Sequence, residues 1–374
     1  MYHTLSYGSK VSRSAARFLN YRCPSPVKFI LNYVPRLIMG NTRKLIKWGS
    51  SNTLIISLPR KWIKANGLKP NQSVKLQENP DGTITVVPQE ISTESFNLET
   101  AVKIKDPTDL ENIRLRILTK YLDGWDVIRI ESKEDFPPTI RIKIEEMIDP
   151  LMGLEIMGVS TGTIIIKNVM AVDSSNVYNL VKMISDLSIE LSKMIYNQLS
   201  SSQKPNEKIG QIEWENIHKY HYRITREHRR ALLHPIVLTK MELTLQDIMD
   251  FSFYVNAVYK IGEALKYILD TMNKHDLLPD KFGIIRFYEK VQNIFRDFVD
   301  SFLFTETSKA IQVIKRIKKE RPNKREIEND VDIEEGSCVD SHPKLLSFQI
   351  ILDHCEKIMD YCENVCLAAL RRAI

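Results

Sequence analysis

The sequence predicts a multidomain α+β protein: a small β-rich head, a small α/β insert of order βαβαββ, and a large antiparallel α-helical bundle. Three observations predict it. Residues 43–88 place short apolar runs between turn signals and concentrate positive charge. Residues 101–168 switch between strand-like and helix-like periodicity. From about residue 175 onward, apolar residues recur at helical spacing in one segment after another. The expected domains are a head at 39–90, an insert at 91–172 and a bundle at 173–374, preceded by an extension at 1–38.

The chain has 374 residues and 43% apolar content, enough for two or three cored domains. Its formal charge of +6 is unevenly spread. Residues 1–38 hold six basic side chains and no acid, residues 39–90 hold eight basic and three acidic, and the remainder is mildly acidic. A basic head on an acidic body points to an anionic partner for the head alone. The extension is acid-free and rich in Ser, Tyr and Asn, as a transit peptide is, but Asn32, Pro35 and Arg36 interrupt its apolar stretch. Translation from Met39 is the favoured reading, with residues 1–38 disordered if made. No run approaches the roughly 18–20 apolar residues of a membrane span, so no membrane insertion is expected. Cys23, Cys338, Cys355, Cys362 and Cys366 form no paired framework, which suits a reduced, cytoplasmic protein.

In the head, LIISLP is a short apolar strand, Leu54 to Leu58, stopped by Pro59. Proline suits a first helical position, where its missing N–H costs nothing. RKWIKAN then gives two helical turns, with Gly67 as a left-handed cap. SVKLQE and TITVV alternate apolar and polar, and NPDG joins them through a turn in which Gly82 takes φ > 0. After a polar linker at 91–100, AVKIK is a strand. PTDLENIRLRILTKYLDG is an amphipathic helix, with Asp106 or Thr108 near its start and Gly124 at its end. WDVIRIES is a strand, PPTIRIKIEEMIDPLMG a helix, and LEIMGVSTGTIIIKNV two strands joined at Ser160–Gly162. Neither GxGxxG nor GxxxxGK[ST] occurs. Long helices follow over 175–200, 210–233, 245–272 and 343–374, with one or two more in 283–319. The charged stretch 321–342 reads as a flexible loop. Helices of this length with one apolar face demand an antiparallel bundle.

Residues 43–88 resemble the AbrB/SpoVT family of swapped-hairpin DNA-binding domains. The matching features are the basic first strand, Leu58-Pro59, Arg60-Lys61-Trp62, Gly67-Leu68-Lys69-Pro70 and Asp81-Gly82. The glycine-arginine pair common before the apolar strand is absent, and Asn52-Thr53 stands there. The resemblance implies a homodimer that interleaves hairpins and grips DNA. Arg43, Lys44, Lys47, Arg60 and Lys61 are the candidate DNA-binding residues, since Lys and Arg contacts to phosphate supply most non-specific affinity. The competing account is an ordinary solvated surface. Trp48 and Trp62 read as core anchors rather than base stackers.

Residues 242–272, with Tyr259-Lys260-Ile261-Gly262-Glu263, and residues 350–366, with Glu356-Lys357-Ile358-Met359-Asp360-Tyr361, resemble the two repeats of PhoU proteins. The order of head, insert and bundle resembles the archaeal PhoU-like phosphate regulators. The resemblance implies a DNA-binding transcriptional regulator of phosphate uptake, whose bundle senses phosphate status through a ligand, a phosphate transporter or its ATPase. The alternative is a signalling adaptor of such a transporter that the head merely dimerises. PhoU bundles can bind metal clusters through carboxylates one helical turn apart, which makes Glu263, Glu356 and Asp360 candidate ligands for a divalent metal or iron. Glu356 and Asp360 share a helix face. Tyr259 stands where the first repeat would need an acid, and His218 and His221 are possible substitutes, a mix that suits Zn or Fe. The other account is an exposed or ion-paired carboxylate pair. Residues 213–234 read as a solvated helix face with Trp214, Ile217 and Ile224 inward, and Cys355, Cys362 and Cys366 as core packing. No paired Glu-x-x-His motif and no nucleophile triad is present, so no catalysis is expected.

Overall fold

A computed structural model describes residues 42–49, 52–65, 67–78, 82–88, 98–170, 174–201, 208–234, 237–238, 241–274, 283–335 and 342–372. The extension 1–38, most of the NPDG turn and most of the linker at 91–100 lie outside the described residues. The chain divides into two compact units, Met1–Ile91 and Ser92–Ile374. The insert and the bundle, expected as separate domains, therefore share one unit.

The first unit contains β1 (Ile46–Lys47), β2 (Leu54–Ile55), α1 (Arg60–Ala65), β3 (Val74–Glu78) and β4 (Ile84–Pro88). β1 and β2 pair antiparallel, as do β3 and β4.

The second unit opens with the insert: β5 (Glu99–Ile104), α2 (Leu110–Leu122), β6 (Val127–Ser132), α3 (Ile140–Ile148), β7 (Leu154–Ser160) and β8 (Thr163–Asn168). This is the βαβαββ order that the sequence predicts. The sheet order is β5-β6-β8-β7, with β5 and β6 parallel and the other pairs antiparallel. Alternation places Val102, Ile104, Ile128, Ile130, Ile164 and Ile166 on one buried face. The four-residue spacing of Ile113, Ile117 and Tyr121 on α2, and of Ile140, Ile144 and Ile148 on α3, aims both helices at it. Asp109 caps α2, accepting the Asn112 N–H at 3.1 Å, while Asp106 closes the preceding turn by accepting the Thr108 N–H and Oγ1–H.

Six helices form the bundle among the described residues: α4 (Ser174–Leu199), α5 (Gln211–Leu233), α6 (Leu245–Lys274), α7 (Ile284–Leu303), α8 (Thr307–Glu335) and α9 (His342–Arg372). Their apolar faces merge into one core. Tyr254 stacks on Phe302 at 3.9 Å and its hydroxyl meets Ser185 Oγ at 2.7 Å, so the buried phenol keeps a partner. Cys355, Cys362 and Cys366 lie in this core, and burial pushes the Cys355 and Cys366 thiols up to about 12. Among the described residues no helix is long and apolar enough to cross a membrane.

One expectation fails in the bundle. Residues 321–335 are not a loop, because α8 continues through Pro322 to Glu335, and α9 begins at His342; residues 336–341 lie outside the described residues. The charges that suggested a loop are partners for α9. Arg321 pairs with Asp360 and Glu363, and Lys324 with Asp353 and Glu356.

A second correction concerns residues 213–234. Ile217 and Ile224 of α5 are buried as expected, but Arg223, Arg226, Glu227 and His228 are buried too. The two arginines meet the insert, Glu227 pairs with both of them, and His228 meets Ser252 of α6. Arg226 donates to the Tyr121 and Trp125 carbonyls at 3.0 and 2.8 Å and to Asp126 at 2.7 Å. Arg230 reaches the same Asp126 oxygen at 3.0 Å. Arg223 donates to the Met152 carbonyl at 3.2 Å and to Asn168 at 3.1 Å, and ion-pairs with Glu227 at 2.9 Å. Burial pulls the Arg226 pKa below the ordinary arginine value, opposed by Glu227 and Asp126. Three guanidinium groups, those of Arg223, Arg226 and Arg230, thus join the insert to the bundle.

Candidate nucleic-acid interface

The head's local structure follows from its turn residues. Gly49, at φ +64°, lets the chain reverse after β1, and the Trp48 N–H closes on the Thr53 carbonyl at 2.9 Å. Pro59 opens α1, its carbonyl accepting the Ile63 N–H at 3.0 Å. Gly67, at φ +61°, ends the helix: its N–H donates to Lys64 O, and the Leu68 N–H donates to Ile63 O. That double closure is a Schellman motif, and it terminates the short helix that carries Arg60 and Lys61 in its first turn.

Arg43, Lys44, Lys47, Arg60 and Lys61 are all exposed. None takes part in an ion pair among the described residues. Arg43, Arg60 and Lys61 line one cleft of about 660 Å³, with Ser57, Leu58 and Pro59 between them. Lys47 lies on the adjoining hairpin, opposite Leu54. Three cations around a cleft, without acids among its lining residues, make a site for a polyanion backbone.

The head differs from expectation in two respects. The apolar run Leu54–Leu58 pairs within the chain only at Leu54 and Ile55. Trp48, expected as a core anchor, is 66% exposed, and Leu45, Ile46, Leu54 and Ile56 are also more than half exposed. Both buried apolar clusters belong to the second unit. Among the described residues the head has no buried apolar cluster of its own, and so small a segment falls below what a hydrophobic core needs to hold a fold alone.

The candidate metal ligands do not converge. Glu263 accepts from Lys260 Nζ at 2.6 Å. Glu356 accepts from Lys324 Nζ at 2.6 Å, and Asp360 from Arg321 Nη2 at 2.6 Å. Beside Glu263, Tyr259 stacks on His221 at 4.0 Å and its hydroxyl meets His218 Nε2 at 3.0 Å. Burial holds the His221 imidazole at about 4, and the neighbouring His218 and Lys260 act the same way. Among the described residues no group of three or more His, Cys, Asp or Glu side chains is placed to hold a metal ion. The reason is physical: cations and stacked rings of the chain's own already occupy the space beside each carboxylate.

Sequence reading missed the buried arginines of α5. The only local signal was the alternation of Arg with Glu and His at helical spacing, which a solvated face shows equally well.

Comparison with known proteins bears on the two units separately. Residues 47–93 match the family model described as antidote-toxin recognition MazE, bacterial antitoxin. No curated protein sequence matches the chain. The crystal structure of PhoU from Pseudomonas aeruginosa is similar at 13% identity and a TM-score of 0.42, covering 54% of this chain and 97% of that one. The phosphate transport system regulatory protein PhoU from Streptococcus pneumoniae is similar at 16% identity and a TM-score of 0.36, covering 53% of this chain and 93% of that one. The chain is a multidomain α+β protein that carries a MazE/AbrB-like domain at residues 47–93 and, later in the sequence, a large helical bundle.

Proposed function

We propose that the protein is a DNA-binding transcriptional regulator of phosphate uptake or homeostasis. Two copies interleave their heads and hold one duplex, and the bundle adjusts that hold according to phosphate status. One observation carries the reading: Arg43, Lys44, Lys47, Arg60 and Lys61 stand exposed on a MazE/AbrB-like head, three of them around one cleft. The exposed Leu45, Ile46, Trp48, Leu54 and Ile56 support the dimer, because a second copy would cover what one chain leaves in water. The tie to phosphate rests on the motif resemblance at Tyr259–Glu263 and Glu356–Tyr361. A phosphate transporter ATPase is the partner that resemblance implies. The protein acts in the cytoplasm and catalyses no reaction in this reading.

Binding of the full chain to duplex DNA across a salt series tests it. Each phosphate neutralised contributes about −0.9 to the slope of log K against log salt. Arg43→Ala with Lys44→Ala removes four cations from a dimer and should flatten the slope by roughly 3 to 4. A salt-insensitive slope, or one unchanged by these substitutions, would refute phosphate contact by the head. If regulation survived loss of all five cations, the adaptor reading would replace it.

A further inference from the structure

We propose that Lys324 and Arg321 are resident cations of a carboxylate site between α8 and α9, and that they take the place a divalent metal ion would otherwise fill. Lys324 is only 6% exposed, yet its ammonium meets three carboxylates: Glu356 at 2.6 Å, Glu328 at 2.7 Å and Asp353 at 3.2 Å. An ammonium has three N–H donors, so every donor has its own carboxylate. Burial works against its charge, but the hydrogen bonds it donates to Glu328, Glu356 and Asp353 outweigh burial and hold the lysine above its ordinary pKa. One turn along, Arg321 Nη2 bridges Asp360 at 2.6 Å and Glu363 at 2.7 Å. Five carboxylates surround two cations, so the site remains net negative.

Carboxylate oxygens are the donors that hard divalent cations take, Mg²⁺, Mn²⁺ and Ca²⁺ among them, but as they stand around Lys324 no three of the described carboxylates are placed to hold one. Here the centre of that set is a covalently attached ammonium. Asp353 and Asp360 are 61% and 49% exposed, so an ion from solvent could reach the site if Lys324 withdrew. The related position between α5 and α6 is filled differently. The facing helix again offers two side chains three residues apart, His218 and His221, and they pack on Tyr259 instead of reaching Glu263. One site is closed by charge and the other by rings. The pairing of the last two helices is therefore independent of metal, and this inference stands whether or not the head binds DNA.

The test uses the full chain purified without chelator. Elemental analysis should find no stoichiometric metal. The melting temperature should be the same in EDTA and in millimolar Mn²⁺. Lys324→Gln should lower it by roughly 5 °C without metal, since Glu328, Glu356 and Asp353 then repel one another without their shared cation. Mn²⁺ should then recover part of the loss, with saturable binding by calorimetry that wild type lacks. Stoichiometric metal in the wild type, an EDTA-sensitive melt, or no gain of Mn²⁺ binding in a folded Lys324→Gln variant overturns the proposal. If Lys324→Gln fails to fold, Glu356→Gln leaves Lys324 two carboxylates. That variant should melt slightly lower than wild type and remain indifferent to Mn²⁺, and a Mn²⁺-dependent melt there would also overturn it.

Discussion

Replacing Asp126 by Asn should unfasten the insert from α5. Asp126 is 3% exposed and its Oδ1 accepts from both Arg226, at 2.7 Å, and Arg230, at 3.0 Å. Its other oxygen accepts the Leu98 N–H at 3.1 Å, which fixes the carboxylate at the foot of β5. Arg226 is fully buried, so the neutral amide leaves its charge with two backbone carbonyls and Glu227, whose nearest oxygen is 3.6 Å from Nε. Removing one partner of a buried pair costs about 3–5 kcal/mol. The remaining carbonyls place this site at the lower end, about 3 kcal/mol, or roughly 6–12 °C in melting temperature for a unit of this size. Urea unfolding of the full chain, followed by circular dichroism, measures it. Arg226→Met in the Asp126→Asn background should recover part of the loss, because the fully buried Arg226 charge is then gone and only the partly buried Arg230 has lost its carboxylate. A cost below about 1 kcal/mol for the single change, or strictly additive costs in the double variant, would refute the claim that this pair fastens the insert.

Three further outcomes are expected. His221 and His228 are held at about 4 by burial, below the ordinary 6.5, so the unfolded chain binds their protons first. Stability should be complete above about pH 6.5 and fall toward pH 4, with His228→Gln removing about one proton's worth of that slope when urea midpoints are compared across pH. Gly153 has φ +91°, and a Cβ there would lie 2.6 Å from Asn168 Oδ1 and 3.0 Å from Arg223 Nη1. Gly153→Ala should cost about 2 kcal/mol or more, while Gly158→Ala, with nothing within 4 Å, should not, and paired thermal melts decide. Pro322 stands inside α8, so Pro322→Ala should stabilise the protein by up to about 3 kcal/mol, read from the denaturation midpoint.

Much of the fold was legible because its signals are local. The alternation in SVKLQE, the β-branched run of TIIIKN and the four-residue spacing of Ile140, Ile144 and Ile148 place strands and helices without reference to distant residues. The same rule hid Arg223 and Arg226. A periodicity count takes an arginine for a solvated residue, and only a partner elsewhere makes its burial tolerable. The charged run after Glu320 misled in the same way, since it is dense in charge and free of Phe, Tyr and Trp, but α9 answers its cations with acids. In the head the five candidate cations were legible as a cluster, whereas the cleft joining three of them depends on how α1 is set against the hairpin.

What the sequence determined by itself was the order of elements, the basic head and the apolar faces, because backbone propensity and side-chain periodicity act over a few neighbouring residues. Which charges would be buried was settled only by the tertiary structure. Asp126 and Arg226 lie 100 residues apart, as Lys324 and Glu356 lie 32 apart, and a charge's environment is set by what folding brings within a few ångströms of it.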